Sequence, residues 1–241
     1  MKEYAENIRF KLNNPAEEAY KVLRTNIQFY ELDKKFKTLA ITSYSPGEGK
    51  TTTAVYLAVS MAKSGEKVLL VDADMRKPVL MKQLAGSSYK GLSNILAGNA
   101  ALDETVNATS VNGFNFITCG VKPPNPVEML ESQEFEKFLK SVSEKFDVVI
   151  IDTPPLGSVI DSAIIASKTD GVLIVIKPNI VRRENVEMVK EQLEKVNARI
   201  LGVVLNNMSK QEYKSYYSGF DYYGNGRKYR KEWIKQLKSS K

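Results

Sequence analysis

The chain has 241 residues, 43% of them hydrophobic, with a formal charge of +7, enough for one substantial core with a tail. It contains no histidine, which excludes Ser-His-Asp and Cys-His nucleophilic catalysis and His-ligated metals. Carboxylates, lysine and arginine are left to carry any chemistry.

In chain order, the periodicities predict a helix over Pro15–Tyr30, a strand over Thr38–Thr42, a helix over Lys50–Lys63 and strands over Val68–Val71 and Phe114–Thr118. A helix over Pro126–Glu144, a strand over Val148–Ile151, a helix over Ser158–Ser167, a strand over Val172–Ile176, a helix over Glu184–Val196 and a strand over Ile200–Leu205 complete the series. Short apolar runs alternating with amphipathic stretches predict an α/β fold, a mostly parallel sheet with helices on both faces. Runs apolar throughout, such as Val148–Ile151, suit strands buried on both sides, and ligands of such sheets bind beyond the strands' carboxyl ends. Past Met208 the periodicity stops.

Six of the twelve tyrosines, Tyr213, Tyr216, Tyr217, Tyr222, Tyr223 and Tyr229, fall in this last stretch. From Lys210 onward there are nine Lys or Arg against three Asp or Glu, so the basic character belongs to a flexible tail. Such a surplus suits an anionic membrane face, a nucleic acid or an acidic polymer. The lone Cys119 cannot form an intrachain disulfide and fits a buried thiol in a reducing compartment. No signal-peptide core opens the chain, and its apolar runs fall short of the roughly 18 residues of a membrane span. A cytosolic protein is expected.

Three motifs sit at predicted strand ends. The first, Ser45-Pro46-Gly47-Glu48-Gly49-Lys50-Thr51-Thr52, comes after a strand and opens a helix, so its backbone N–H groups can converge on phosphate oxygens. Gly47 and Gly49 permit tight turns. Lys50 would neutralise the β and γ phosphates of ATP, the Thr51 hydroxyl would ligate Mg²⁺, and Thr52 would reach the α phosphate. Tyr44 stands where the first glycine of such loops usually lies.

The second motif is Asp72-Ala73-Asp74-Met75-Arg76, after Val68–Val71. Asp72 suits Mg²⁺ binding, directly or through water, or proton acceptance from an incoming hydroxyl, and Asp74 could order the same cluster. Like-charge repulsion between them would raise one pKa unless a metal or Arg76 offsets it. The third is Asp152-Thr153-Pro154-Pro155 after Val148–Ile151, with Asp152 in the place of a Walker B carboxylate that holds Mg²⁺ and orders Thr51. Together they describe a P-loop NTPase. Asn206 suits adenine recognition or a turn, and Arg182 and Arg183 read as surface charges.

The chain resembles the bacterial tyrosine kinases, the capsular or exopolysaccharide tyrosine autokinases. The resemblance rests on Ser43-x-x-Pro46-x-x-Gly49-Lys50-Thr51, Asp72-x-Asp74-x-Arg76, Asp152-x-Pro154, the Pro123-Pro124-Asn125-Pro126 stretch with Glu128-Met129-Leu130, and the tyrosine cluster. It spans about Pro15 to Tyr229. It implies ATP- and Mg²⁺-dependent transfer to the tail tyrosines, from one subunit to the next within a ring-shaped homo-oligomer, with an octamer as one expected size. It further implies that Asp72 and Asp74 support Mg²⁺ and deprotonate tyrosine, the base being one of the two. A transmembrane polysaccharide co-polymerase-like adaptor would recruit the chain to the inner face of the membrane. A cognate tyrosine phosphatase is expected as partner and nucleic acid is not.

On this reading residues 1–36 form a helical oligomerisation segment, 37–208 the kinase domain and 209–241 the tyrosine-rich basic tail. The family's E-x-x-R-x-x-R motif appears as Glu18-x-x-Lys21-x-x-Arg24, with a lysine that keeps the charge but loses the planar fork. Two alternatives remain. A ParA/MinD-like ATPase switch of partitioning and cell division, binding membrane or DNA, typically carries a lysine five residues before Lys50, where this chain has Ser45. A nucleotide-gated scaffold of a polysaccharide assembly complex is the other.

Overall fold

A computed structural model describes residues 12–31, 36–80, 84 and 89–209. Two units divide the chain, Met1–Asn206 and Asn207–Lys241, and the first holds every helix and strand among the described residues. The elements run α1 (Asn14–Glu31), β1 (Thr38–Ser43), α2 (Lys50–Lys63), β2 (Val68–Asp72), α3 (Leu92–Leu96), α4 (Leu102–Thr105), β3 (Asn107–Ala108) and β4 (Phe114–Ile117). They continue with α5 (Pro126–Glu131), α6 (Gln133–Lys145), β5 (Val148–Asp152), α7 (Asp161–Ser167), β6 (Gly171–Ile176), α8 (Arg183–Lys195) and β7 (Ile200–Leu205).

Among the described residues seven strands form one sheet in the order β3-β4-β2-β5-β1-β6-β7. Every pairing is parallel except the short β3–β4 ladder at one edge. Successive side chains of a strand point to opposite faces, and each central strand feeds two cores. Ala40, Leu69, Val71, Val149 and Ile151 pack under α3 and α5 to α8, while Leu39, Ile41, Val68, Leu70, Val148 and Ile150 pack under α2. That double burial is why Val148–Ile151 is apolar without alternation. All five residues of β2 and all five of β5 are buried, their terminal aspartates included.

Helix α1 lies on α2. Asn13 Oδ1 accepts the Ala16 N–H at 3.0 Å near its start, Ile27 enters the core, and the Tyr20 and Tyr56 rings meet at 5.6 Å. Sandwiched between α1 and the sheet, α2 is buried over most of its circumference.

Two expectations are corrected. The predicted Pro126–Glu144 helix is two helices, because Ser132 is extended (φ −62°, ψ 156°) and accepts the Phe135 N–H at 3.4 Å, capping α6. The helix expected from Ser158 begins at Asp161, since Leu156 N–H bonds Ser43 O at 2.7 Å and Gly157 N–H bonds Tyr44 O at 3.0 Å, tying this stretch to the end of β1. The short α3, α4 and β3 carry too little periodicity to be read from sequence.

Candidate functional site

The loop between β1 and α2 turns at two glycines in the left-handed region, Gly47 at φ 82° and Gly49 at φ 92°. Gly49 is required twice over, since an added Cβ would stand 1.9 Å from Asn206 Nδ2. Pro46, Gly47 and Thr52 are exposed, whereas Lys50 is buried at the first position of α2. The loop therefore offers a helix N-terminus, open backbone and a sequestered ammonium to an anion.

Beside it stand the tips of β2 and β5, which pair in register through Asp72 and Asp152. Asp152 is 1% exposed; its Oδ2 accepts the Thr51 hydroxyl at 2.5 Å, and its Oδ1 is buried without a hydrogen-bond partner. Asp72 is fully buried, accepting the Asp74 N–H at 3.1 Å on Oδ1 and the Leu80 N–H at 3.2 Å on Oδ2. The half-buried Asp74 accepts the Arg76 and Lys77 N–H groups at 3.2 and 2.9 Å, folding the turn after β2.

Burial pushes the Asp72 carboxyl up to about 8, with the neighbouring Asp152 charge adding to it. Burial likewise pushes Asp152 up to about 7, against the opposing Thr51 hydrogen bond and Lys50 charge. A raised carboxyl pKa means the native state holds its proton more tightly than the unfolded chain, so this contribution to stability is full below about pH 4 and is lost as pH rises through about 7. Asp152→Asn, which abolishes this titration, is therefore expected to raise the melting temperature of the nucleotide-free protein by several degrees at pH 9 and by little at pH 5. Scanning calorimetry at both pH values checks it, and equal shifts would contradict it.

The Thr51 hydroxyl, the unpartnered Asp152 Oδ1 and the adjacent Asp72 are hard oxygen donors carrying repulsion that a cation relieves, which fits Mg²⁺. Among the described residues no group of three or more His, Cys, Asp or Glu could hold a metal ion. That is compatible with an ion that keeps waters and substrate phosphates as ligands.

Arg76 does not sit over Asp72. Its guanidinium forms a fork with Asp161 at the start of α7, Nε to Oδ2 and Nη2 to Oδ1 both at 2.9 Å, and Asp161 is fully buried. Sequence reasoning missed Asp161; the usable signal was an aspartate opening an otherwise apolar helix. Asn206, read for adenine or a turn, donates from Nδ2 to Glu48 O at 2.9 Å. On α1, remote in sequence from the loop, Lys21 pairs with Glu18 on its own helix at 2.7 Å, and Arg24 donates to Ser60 O at 2.9 Å. The six tail tyrosines lie outside the described residues.

A phosphate loop between β1 and α2, flanked by buried aspartates at the tips of β2 and β5, defines a P-loop NTPase. A family model described as "AAA domain" matches residues 36–207. The tyrosine-protein kinase CpsD of Streptococcus agalactiae is 42% identical over 209 residues, 86% of this chain and 90% of that relative. The kinase domain of Escherichia coli tyrosine kinase ETK superposes with a TM-score of 0.80 at 33% identity, covering 85% of this chain and 82% of that one. The septum site-determining protein MinD of Pyrococcus horikoshii, solved with Mg-ADP, gives 0.62 at 26% identity over 73% of each chain. The chain belongs to the bacterial tyrosine kinase family, and its activity class is that of a protein-tyrosine kinase.

Proposed function

We propose that this kinase uses Mg-ATP to phosphorylate its own C-terminal tyrosines, in trans between subunits of a ring, to regulate capsular or extracellular polysaccharide synthesis and export. The observation that carries the nucleotide half is the Thr51–Asp152 pair beside a buried Lys50, at the mouth of an open phosphate loop. The P-loop relative solved with Mg-ADP supports the same cofactor. When bound, Mg²⁺ supplies charge neutralisation across the β and γ phosphates, and Thr51, Asp152 and Asp72 would hold it.

Lys50 neutralises charge that builds on the transferring phosphoryl group, and the loop N–H groups orient it. Asp74, the more accessible of the two carboxylates at and just after the end of β2, takes the phenolic proton as the tyrosine oxygen bonds to phosphorus and the ADP oxygen leaves. Each added phosphate brings a charge of about −1.5 to −2, which weakens docking of the tail beside Asp72 and Asp74 and loosens the ring. The exposed Glu18–Lys21 pair of α1 offers a polar surface to a neighbouring subunit. No helix among the described residues is long and apolar enough to cross a membrane. By the family resemblance, a transmembrane adaptor is proposed as the recruiting partner, with a tyrosine phosphatase reversing the modification.

Replacing Tyr213, Tyr216, Tyr217, Tyr222, Tyr223 and Tyr229 together with phenylalanine is expected to remove phosphate incorporation while ATP affinity stays unchanged. Labelling with radioactive ATP and a parallel binding titration read both. Full labelling of the variant would sink the acceptor assignment.

A further inference from the structure

A carboxylate inside a phosphate-binding loop presents a problem, because its charge repels the anion the loop exists to hold. Glu48 stands between the two loop glycines, yet its side chain is turned inward and is 1% exposed. Both oxygens accept backbone N–H groups: Ser45 at 2.5 Å on Oε1, and Lys177, just past β6, at 3.2 Å on Oε2. Its carbonyl accepts Asn206 Nδ2 at 2.9 Å, and the Asn206 N–H donates to Ile176 O at 2.8 Å. Asn206 therefore faces Glu48 through its side chain and β6 through its backbone.

We propose that Glu48 and Asn206 form a bracket that fastens the phosphate loop to the ends of β6 and β7, so that the loop is shaped before nucleotide arrives. The Glu48 charge is consumed by two N–H dipoles, one within the loop at Ser45 and one at Lys177, while Pro46 and Gly47 stay exposed. Three hydrogen bonds join segments distant in sequence, and the Gly49 position leaves no room for a Cβ beside Asn206 Nδ2. Both side chains act as positioning residues for the phosphates. For Asn206 this role is independent of which base, if any, the ligand carries. The proposal rests on the nucleotide reading above and adds to it the part that holds the loop.

The test uses the full chain and its Glu48→Gln and Asn206→Ala variants, titrated calorimetrically with Mg-ATP and with Mg-tripolyphosphate, which has no base. Glutamine has one acceptor oxygen for two N–H donors, so it breaks one arm with little change of shape. Each variant is expected to bind both probes about tenfold more weakly, the loss expected for a hydrogen bond to a charged or enclosed group. In labelling assays the KM for ATP rises by about the same factor while kcat at saturating ATP stays within about threefold. A wild-type tripolyphosphate affinity in Asn206→Ala overturns the proposal and confines that residue to the base. Amide exchange in the nucleotide-free protein gives a second reading: one of the Ser45 and Lys177 amides, the one left facing the glutamine NH₂, should exchange about tenfold faster in Glu48→Gln, and unchanged exchange at both overturns the bracket. Should the wild-type chain bind neither probe, the nucleotide reading fails, while the exchange data still decide whether the bracket exists.

Discussion

Lys50→Met is expected to lower the rate of tyrosine labelling by at least about 10²–10³, the cost of removing one preorganised charge from a water-poor site. Lys50 is buried at the first residue of α2, beside a loop that carries no other cationic side chain. Its ammonium is the loop's own positive charge for the β and γ phosphates, and its field also opposes the rise in the Asp152 pKa. Methionine keeps length and helix propensity, so the variant should fold, and a circular dichroism melt close to wild type distinguishes lost chemistry from lost structure. Initial rates of phosphate incorporation measure the effect. Labelling at the wild-type rate would remove Lys50 from the mechanism.

Arg76→Ala is expected to lower stability by about 3–5 kcal/mol, because it strands a buried carboxylate. Asp161 is fully enclosed, and both its oxygens are committed to the Arg76 fork at 2.9 Å. For a chain of this size the loss corresponds to a fall in melting temperature of roughly 10 °C. Arg76→Lys should recover only part of it, since an ammonium cannot reproduce the bidentate geometry. Adding Asp161→Asn to Arg76→Ala should recover more, by removing the stranded charge. Differential scanning fluorimetry on the four proteins checks the order, and an Arg76→Ala protein as stable as wild type would refute the structural role. The fork joins the turn after β2 to α7, so its loss is also expected to loosen the Asp72–Asp74 segment.

The central strands and the three strand-end motifs were legible in the sequence for a physical reason. A strand buried on both faces must be apolar at every position, so a charge at its end, as at Asp72 or Asp152, stands out against Val68–Val71 or Val148–Ile151. Gly47 and Gly49 were legible because only glycine meets the loop's backbone angles without strain. What escaped were pairings between residues far apart in the chain, which leave no spacing to read. Arg76 was read as a charge that could offset the two aspartates before it, and the structure pairs its guanidinium with Asp161, 85 residues on. Glu48 was read as part of the phosphate-binding loop, and its bonds to Lys177 and Asn206, 129 and 158 residues on, left no trace in the spacing. Ser132 lies within a continuous helical periodicity, and its competing hydrogen bond, a local effect, split the helix.

Phosphate mapping tests the central claim most directly. Wild type and Lys50→Met would be incubated with Mg-ATP, with and without the cytosolic peptide of a candidate adaptor, then analysed by intact mass and fragmentation. Phosphate on tyrosines between Tyr213 and Tyr229 in the wild type, increased by the peptide and missing from Lys50→Met, is the expected result. ATP hydrolysis with no labelled tyrosine under either condition would contradict it and favour an ATPase switch of the MinD type.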